Sequence, residues 1–215
     1  MNWSRKHRPR PWGRYHHGNL KEALVQAARD LVAEFGPSGF SLAEAARRAG
    51  VSAAAPYRHF TDRQALMGEL ARQGFAKLAI GLHEAWNDGQ PDPPTAFQRM
   101  GAAYVTFATE DPAAFAAMFE SGGGPTTEPA MKDAAERTFA ILVAAAGRLG
   151  ARQAGDLPAD PRRIALHMWA LAHGIASLSR SANGTALIPP DESLRLLSAG
   201  TSTYLAGLTA RLTAR

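Results

Sequence analysis

Between Tyr57 and Arg63 the chain gathers hydrogen-bond donors: Tyr57, Arg58 and His59 in succession, then Arg63 just past Phe60. A phenol, an imidazole and two guanidinium groups, with Asp62 the one acid among them, form neither an acid–base pair nor a metal cage. They suit a polyanion. A guanidinium matches the two acceptors of a guanine edge or of a phosphate, and hydroxyl and imidazole groups donate to phosphate oxygens. Immediately upstream stand Ser52, Ala53, Ala54 and Ala55, whose alanines offer only methyl contacts, for instance to thymine. Hydrogen-bonded readout of bases therefore falls mainly to Arg58, with His59 beside it. Other chemistry finds little support. The absence of cysteine excludes a disulfide framework and thiolate metal sites. No Walker-type loop, dinucleotide glycine pattern or Gly-x-Ser-x-Gly elbow occurs, and Gly122-Gly123-Gly124 runs into Pro125, as a linker would. The seven histidines include no i, i+4 pair; a site assembled from separate helices, such as His83 with His167, stays open. Neither an enzyme, a cofactor nor a metal is expected.

Two short helices and a turn must present these donors. Ser41 with Glu44 forms a capping box, so a helix should begin at Leu42. Gly50 can stop that helix and turn the chain, Val51 drops between the helices, and Ser52 caps a second helix that carries Tyr57, Arg58 and His59 outward before Phe60 anchors it. Pro56 lacks an N–H near the end of that helix's first turn, so its start is expected to be irregular. Small residues at Ala45, Ala46 and Ala49 allow a close crossing. The result is a helix-turn-helix, whose second helix fits the major groove of DNA. A preceding helix, capped by Asn19 with Glu22 and ended by Gly36-Pro37, puts Leu20, Leu24, Ala27, Ala28, Leu31, Val32 and Phe35 on one face to support it. A following helix is expected to open at Thr61 with Gln64, placing Asp62 and Arg63 by free backbone N–H groups where a phosphate can bind, and to run to about Trp86.

Gly50-Val51-Ser52, then Tyr57-Arg58-His59-Phe60 and Asp62-Arg63-Gln64-Ala65-Leu66, preceded by Tyr15-His16-His17-Gly18-Asn19-Leu20, resembles the DNA-binding domain of the tetracycline-repressor (TetR) family over about the first third of the chain. The resemblance implies phosphate contacts from Tyr57, His59 and Arg63, the last standing where the family usually has lysine. Arg14 and Ser41 join the expected DNA-contacting set. Pro56 departs from the bulky aliphatic residue common in the wider family. Trp169-Ala-Leu-Ala-His173-Gly174 is similar to the Trp–His–Gly signature of one TetR C-terminal subgroup. The family implies an all-α fold, with an arm and helix-turn-helix domain over 1–66 and a ligand-binding and dimerisation domain over 67–215. It also implies a homodimer paired through its last two long helices, and a transcriptional regulator, most often a repressor.

Charge distribution agrees with that division. Residues 1–70 hold 11 Lys/Arg against 6 Asp/Glu, whereas residues 71–215 hold 13 of each, so the net +5 sits on the helix-turn-helix end. Residues 1–14 read either as an arm that follows DNA or as a solvated terminus. No apolar run reaches the ~20 residues of a membrane helix, and the basic N-terminus lacks a signal-peptide core, so a cytoplasmic protein without a membrane partner is expected. Beyond Trp86, capped helical segments are expected from Thr95 (with Gln98), Asp111-Pro112, 129–149, Asp160-Pro161 to residue 182, and 191–213. The last two are apolar on more than one face. Ile164, Met168, Leu171, Ile175, Leu197, Tyr204, Leu205 and Leu208 are the expected dimer-forming positions. Phe75, Leu78, Met100, Tyr104, Phe107, Phe119, Trp169 and His173 read either as filled core or as the lining of a pocket for a small apolar or aromatic effector. Tyr104 and His173 need hydrogen-bond partners if buried, which favours the pocket. The partners expected are double-stranded DNA with a palindromic operator, a small-molecule effector and a second copy of the chain. A DNA-binding regulator without an effector is the alternative.

Overall fold

The computed structural model describes residues 20–121, 129–150, 160–180 and 186–213. Among these residues there are eight α-helices and no strand: α1 (Leu20–Phe35), α2 (Leu42–Arg48), α3 (Arg63–Trp86), α4 (Pro93–Glu110), α5 (Pro112–Phe119), α6 (Pro129–Gly150), α7 (Pro161–Ser179) and α8 (Pro190–Thr213). The all-α expectation holds. None of the described helices is long and apolar enough to cross a membrane.

The head of the molecule is built as its spacing predicts except at Phe35, which was expected on the supporting face but is 54% exposed where α1 ends at the Gly36 turn. Leu24, Val25, Ala27, Ala28, Leu31 and Val32 are the buried face of α1. Against it lies α2, whose Ala45 and Ala46 are wholly buried. Small side chains at this crossing let the two backbones approach. From the head, α3 continues unbroken into the body and packs on α4, α5 and α6. Where it packs on α5, a side chain in place of Gly74 would meet Met118 Sδ at 2.6 Å. The remaining body is α7 against α4 and α6, with α8 against α4 and α7. Its core is apolar and continuous with that of the head.

Two helix starts differ from expectation. The N-cap of α3 is Asp62 rather than Thr61; its carboxylate accepts from Ala65 N at 2.8 Å. The N-cap of α4 is Asp92 rather than Thr95, and its carboxylate accepts from both the backbone N–H and the hydroxyl of Thr95 at 2.9 Å. In both cases a carboxylate, with two acceptor oxygens, takes the first-turn donors and also complements the helix dipole. Helix α7 ends at Ser179, short of residue 182, because Arg180 adopts extended backbone.

One buried carboxylate ties the head to the body. Asp111 caps α5, with Oδ1 accepting from Ala114 N at 3.2 Å, and is only 6% exposed. The same Oδ1 accepts from the Arg29 guanidinium on α1, and Oδ2 from Lys77 Nζ on α3 at 3.3 Å. A buried acid is tolerable when cations and backbone N–H groups meet it, as here. A second tie joins Lys21 of α1 to Glu69 of α3 at 3.2 Å.

Candidate nucleic-acid interface and aromatic core site

The turn between α2 and the donor-bearing segment is fully determined by local chemistry. Ser41 Oγ accepts from Glu44 N at 3.2 Å, and the Glu44 carboxylate accepts from Ser41 N at 2.8 Å, completing the capping box. The Ser41 hydroxyl also donates to the Glu44 carboxylate at 2.8 Å, and this bond, with the one from Ser41 N, holds the Glu44 carboxyl below its ordinary pKa. Helix α2 then ends on Gly50 at φ +71°. Gly50 N donates to Arg47 O at 3.2 Å and Val51 N to Ala46 O at 3.0 Å, the paired bonds of a Schellman stop.

The segment that follows departs from the helix expected from Ser52 by more than the irregular start that Pro56 implied. It is a turn followed by a single 3-10 turn, Pro56–Arg58. Pro56 is the cause: in an α-helix its N–H would bond to Ser52 O, and proline has none. Instead Ala55 N takes Ser52 O at 3.0 Å, and His59 N and Phe60 N both take Pro56 O at 2.9 Å. The presentation of side chains survives this change. Pro56 and Phe60 are buried, while Ser52, Ala53, Ala54, Tyr57, Arg58 and His59 are exposed and Ala55 is half-buried. Tyr57 is 63% exposed. The side chains of Tyr57, Arg58 and His59 make no hydrogen bond or ion pair among the described residues.

Arg63 is placed differently from expectation. Its Nη1 donates to Pro37 O at 2.5 Å, and its guanidinium lies 5.7 Å from the centre of the Phe40 ring. It therefore braces the loop between α1 and α2. Arg14 lies outside the described residues.

In the body, seven rings from five helices converge: Phe75 (α3), Tyr104 (α4), Phe115 and Phe119 (α5), Phe139 (α6), and Trp169 and His173 (α7). Tyr104 meets Trp169 at 5.5 Å between centroids, Phe119 meets His173 at 4.9 Å, and Phe139 meets Trp169 at 5.6 Å. Phe75 and Tyr104 are buried, whereas Phe119, Trp169 and His173 are half-buried. Leu78 and Met100 are buried in the same core. Phe107 is also buried, but its ring lies by Lys77 Nζ at 6.0 Å and makes no ring contact with this group among the described residues. Among the described residues, no cluster of three or more His, Asp or Glu gathers.

The structure corrects the hydrogen-bond argument for the pocket. Tyr104 Oη and His173 Nδ1 lie 2.9 Å apart and satisfy each other. Burial pushes the Tyr104 phenol far above its ordinary pKa, so it keeps its proton and can serve as donor. Burial lowers the pKa of His173, with the negative charge of Glu120 opposing the shift. A neutral imidazole accepting at Nδ1 then carries its proton on Nε2. Sequence periodicity could not show this pair, because the two residues stand 69 positions apart on different helices. Phe115 and Phe139 were missing from the expected lining, although Phe115 stands four residues before Phe119 on one helix face. Arg180 was missed as well. Its guanidinium lies 4.6 Å from the Phe115 ring centre, whereas the sequence pattern placed it only as one more residue of a helix expected to run to residue 182.

Most of the expected dimer stripe also serves the core of one chain. Ile164, Met168, Ile175, Leu197 and Leu205 are all buried within a single chain. Leu171 is half-buried, facing Gly200 of α8. Tyr204 and Leu208 are half-buried, and Tyr204 packs on the His167 ring at 4.7 Å. The apolar side chains these helices leave exposed are instead Leu166, Leu178, Leu194 and Leu196, each near half exposure. Both apolar faces of α7 serve the chain's own core: Ile164, Met168 and Ile175 are buried on one, and Ala165, Ala172 and Ala176 on the other.

Comparison with known proteins agrees with this geometry. Bacterial regulatory proteins of the tetR family match residues 24–70, and the tetracyclin repressor-like C-terminal domain matches residues 97–200. The chain is 30% identical over 95 residues to YobS, an HTH-type transcriptional regulator of Bacillus subtilis (strain 168), covering 44% of this chain and 49% of that protein. The chain thus spans about half the length of that curated relative. A solved structure of a protein with unknown function from Rhodococcus sp. RHA1 aligns with a TM-score of 0.75 at 32% identity, covering 91% of this chain and 98% of that one. The TetR family transcriptional regulator PfmR of Thermus thermophilus shares the fold, with a TM-score of 0.65 at 19% identity over 85% of this chain and 97% of its own. A head that offers unpartnered donors on a helix-turn-helix, joined to a helical body of this kind, identifies the chain as a member of the TetR family of DNA-binding transcriptional regulators, which are not enzymes.

Proposed function

We propose that the chain acts in the cytoplasm as a homodimeric repressor that holds a palindromic operator and is released by a small apolar or aromatic effector. The observation that carries the reading is the trio Tyr57, Arg58 and His59, exposed and unpartnered at the tip of the head. Each protomer sets its 52–60 segment into one major groove, and the dimer spaces the two by one helical turn, about 34–36 Å. Ser52 and the alanines contact base edges, Arg58 with His59 reads them, and Tyr57, Ser41, Arg63 and the arm residue Arg14 contact the backbone. The functional boundary between the two domains falls near residue 66, inside α3.

The effector occupies the aromatic site, against Phe119, Trp169 and His173. Helix α5 is the mechanical relay, because it carries Phe115 and Phe119 into that site while its cap, Asp111, holds Arg29 of α1. An effector needs to favour one head spacing by only about 1–3 kcal/mol to change operator affinity 5- to 150-fold. The Tyr104–His173 bond favours the competing reading, a constitutive regulator with a filled core. Three rings that the core leaves only half-buried favour the effector. Similarity of Trp169, His173 and Gly174 to the Trp–His–Gly subgroup belongs to this reading too.

Selection of bound fragments from random DNA, followed by footprinting, tests the DNA half. The expected outcome is an inverted repeat with half-site centres one turn apart; an enriched sequence without two-fold symmetry would remove the dimer–operator reading. Displacement of that DNA by aromatic compounds, lost in Trp169→Ala, tests the effector half.

A further inference from the structure

At the edge of the aromatic site a cation lies in an unusual setting. The Arg180 guanidinium covers the Phe115 ring at 4.6 Å. Phe115 in turn stacks on His173 at 5.5 Å and 22°. Arg180 Nη1 is shielded from solvent yet makes no hydrogen bond. Its acidic neighbour is Glu120, the residue that closes α5, whose Oε1 stands 3.2 Å away but off the hydrogen-bond axis. Glu120 is 43% exposed in its side chain, so it retains solvent as an alternative partner, whereas the Arg180 side chain is 22% exposed. A buried donor left unmade costs stability, and an ion pair off the hydrogen-bond axis with a half-exposed partner returns little of it. Burial also lowers the Arg180 pKa, with Glu120 opposing that shift.

We infer that Arg180 is the anchor for the head group of a carboxylate effector, and that Glu120 occupies the place of that carboxylate until the effector arrives. The inference rests on the proposal that the aromatic site takes the effector, and it adds the effector's chemical class: an aromatic or aliphatic monocarboxylic acid. A guanidinium presents its N–H groups as a planar fork that a carboxylate meets with two parallel bonds, which the misaligned Glu120 does not achieve. The acid's apolar part lies beside Phe119 and Trp169, whose rings are 6.4 Å apart and half-buried. His173 has Nδ1 engaged by Tyr104, which leaves Nε2–H as a second donor at the same edge. Binding exchanges one carboxylate for another, so the net charge at Arg180 is unchanged while Glu120, on the relay helix, is set free.

Calorimetric titration of the full chain with 4-phenylbutyrate, 3-phenylpropionate and decanoate, and with the corresponding amides, tests this, together with the tryptophan fluorescence change. In the wild type at least one acid is expected to bind roughly tenfold or more tighter than its amide, the share of a charge-assisted pair. Glu120→Gln is expected to tighten the acid and leave the amide unchanged. Arg180→Gln is expected to make acid and amide equal, and Arg180→Lys to restore part of the preference. Circular dichroism confirms that each variant is folded, and Glu120→Gln carries the test alone if Arg180→Gln is not. Amides that bind as tightly as acids, or a preference for acids unchanged in Arg180→Gln, would overturn the carboxylate anchor and leave the aromatic site as an effector site. No binding by any acid or amide would overturn both readings.

Discussion

Arg58 and Arg63 carry the same charge five residues apart, and their surroundings give them different work. Arg58 is exposed and unpartnered, so Arg58→Ala should weaken operator binding and relax sequence preference at one position, a loss of about 1–3 kcal/mol on the preferred base. Arg63 also braces Pro37 and Phe40, so Arg63→Ala should reduce the salt slope by about one phosphate on any DNA and cost about 1 kcal/mol of stability. Anisotropy titrations on selected and random DNA at several salt concentrations, with urea melts, separate the two; identical behaviour would contradict this division. His173 makes a second prediction at this scale. Its folded pKa lies below the ordinary 6.5 because of burial, so the unfolded chain binds the extra proton first. Stability is unaffected above the ordinary value and falls as pH drops through it toward the lower folded pKa, where Nδ1 must also release the Tyr104 hydroxyl. Urea unfolding from about pH 7 down to pH 5 should therefore show a decline that is shallower in His173→Gln than in the wild type. Equal slopes would mean that the imidazole is solvated in the native state.

The elements were largely legible because their stops and starts are chemical. Gly50 at a left-handed φ, the Ser41–Glu44 box and Asp111-Pro112 each specify one outcome, and the structure has it. Where two capping residues compete within a few positions, the sequence pattern alone does not rank them. Asp62 prevails over Thr61, and Asp92 over Thr95; in the second case Pro93 at the first helical position already marked the residue before it as the cap. The recognition segment was legible in what it exposes but not in its backbone, since the loss of one N–H at Pro56 leaves only a 3-10 turn. Pro56→Ala should restore the bond to Ser52 O and lengthen this segment into an α-helical turn, at a packing cost of about 1 kcal/mol because Pro56 is buried. Amide exchange would show protection at position 56 and altered affinity for the operator. An unprotected amide there would mean that the tertiary setting, not proline, shapes the turn. In the aromatic site the stripes were legible and their pairings were not, because the Tyr104–His173 bond and the Arg180–Phe115 contact depend on how separate helices are placed.

At the level of the whole molecule, the buried and exposed leucines of α7 and α8 predict opposite results. Leu166→Glu with Leu178→Glu alters the large apolar side chains that α7 leaves exposed, and should give a folded monomer that no longer holds the operator, as sedimentation and circular dichroism would record. Leu205→Glu places a charge in the core of one chain, where it should cost several kcal/mol and abolish folding. A Leu166/Leu178 variant that remains dimeric would move the interface to another face. The Asp111 junction bears on a different property, the size of the unit that opens at once. Because this carboxylate engages Arg29 on α1, Lys77 on α3 and the first turn of α5 together, none of the three can fray without stranding a charge from the other two. The head is thus not an excisable module: the amide protons in the buried part of α1 should exchange at the pace of those in α5, in one shared opening event. A fragment cut near residue 66 would lose Asp111 and Glu69 along with most of α3, and α1 would keep its sequence but not its foldon.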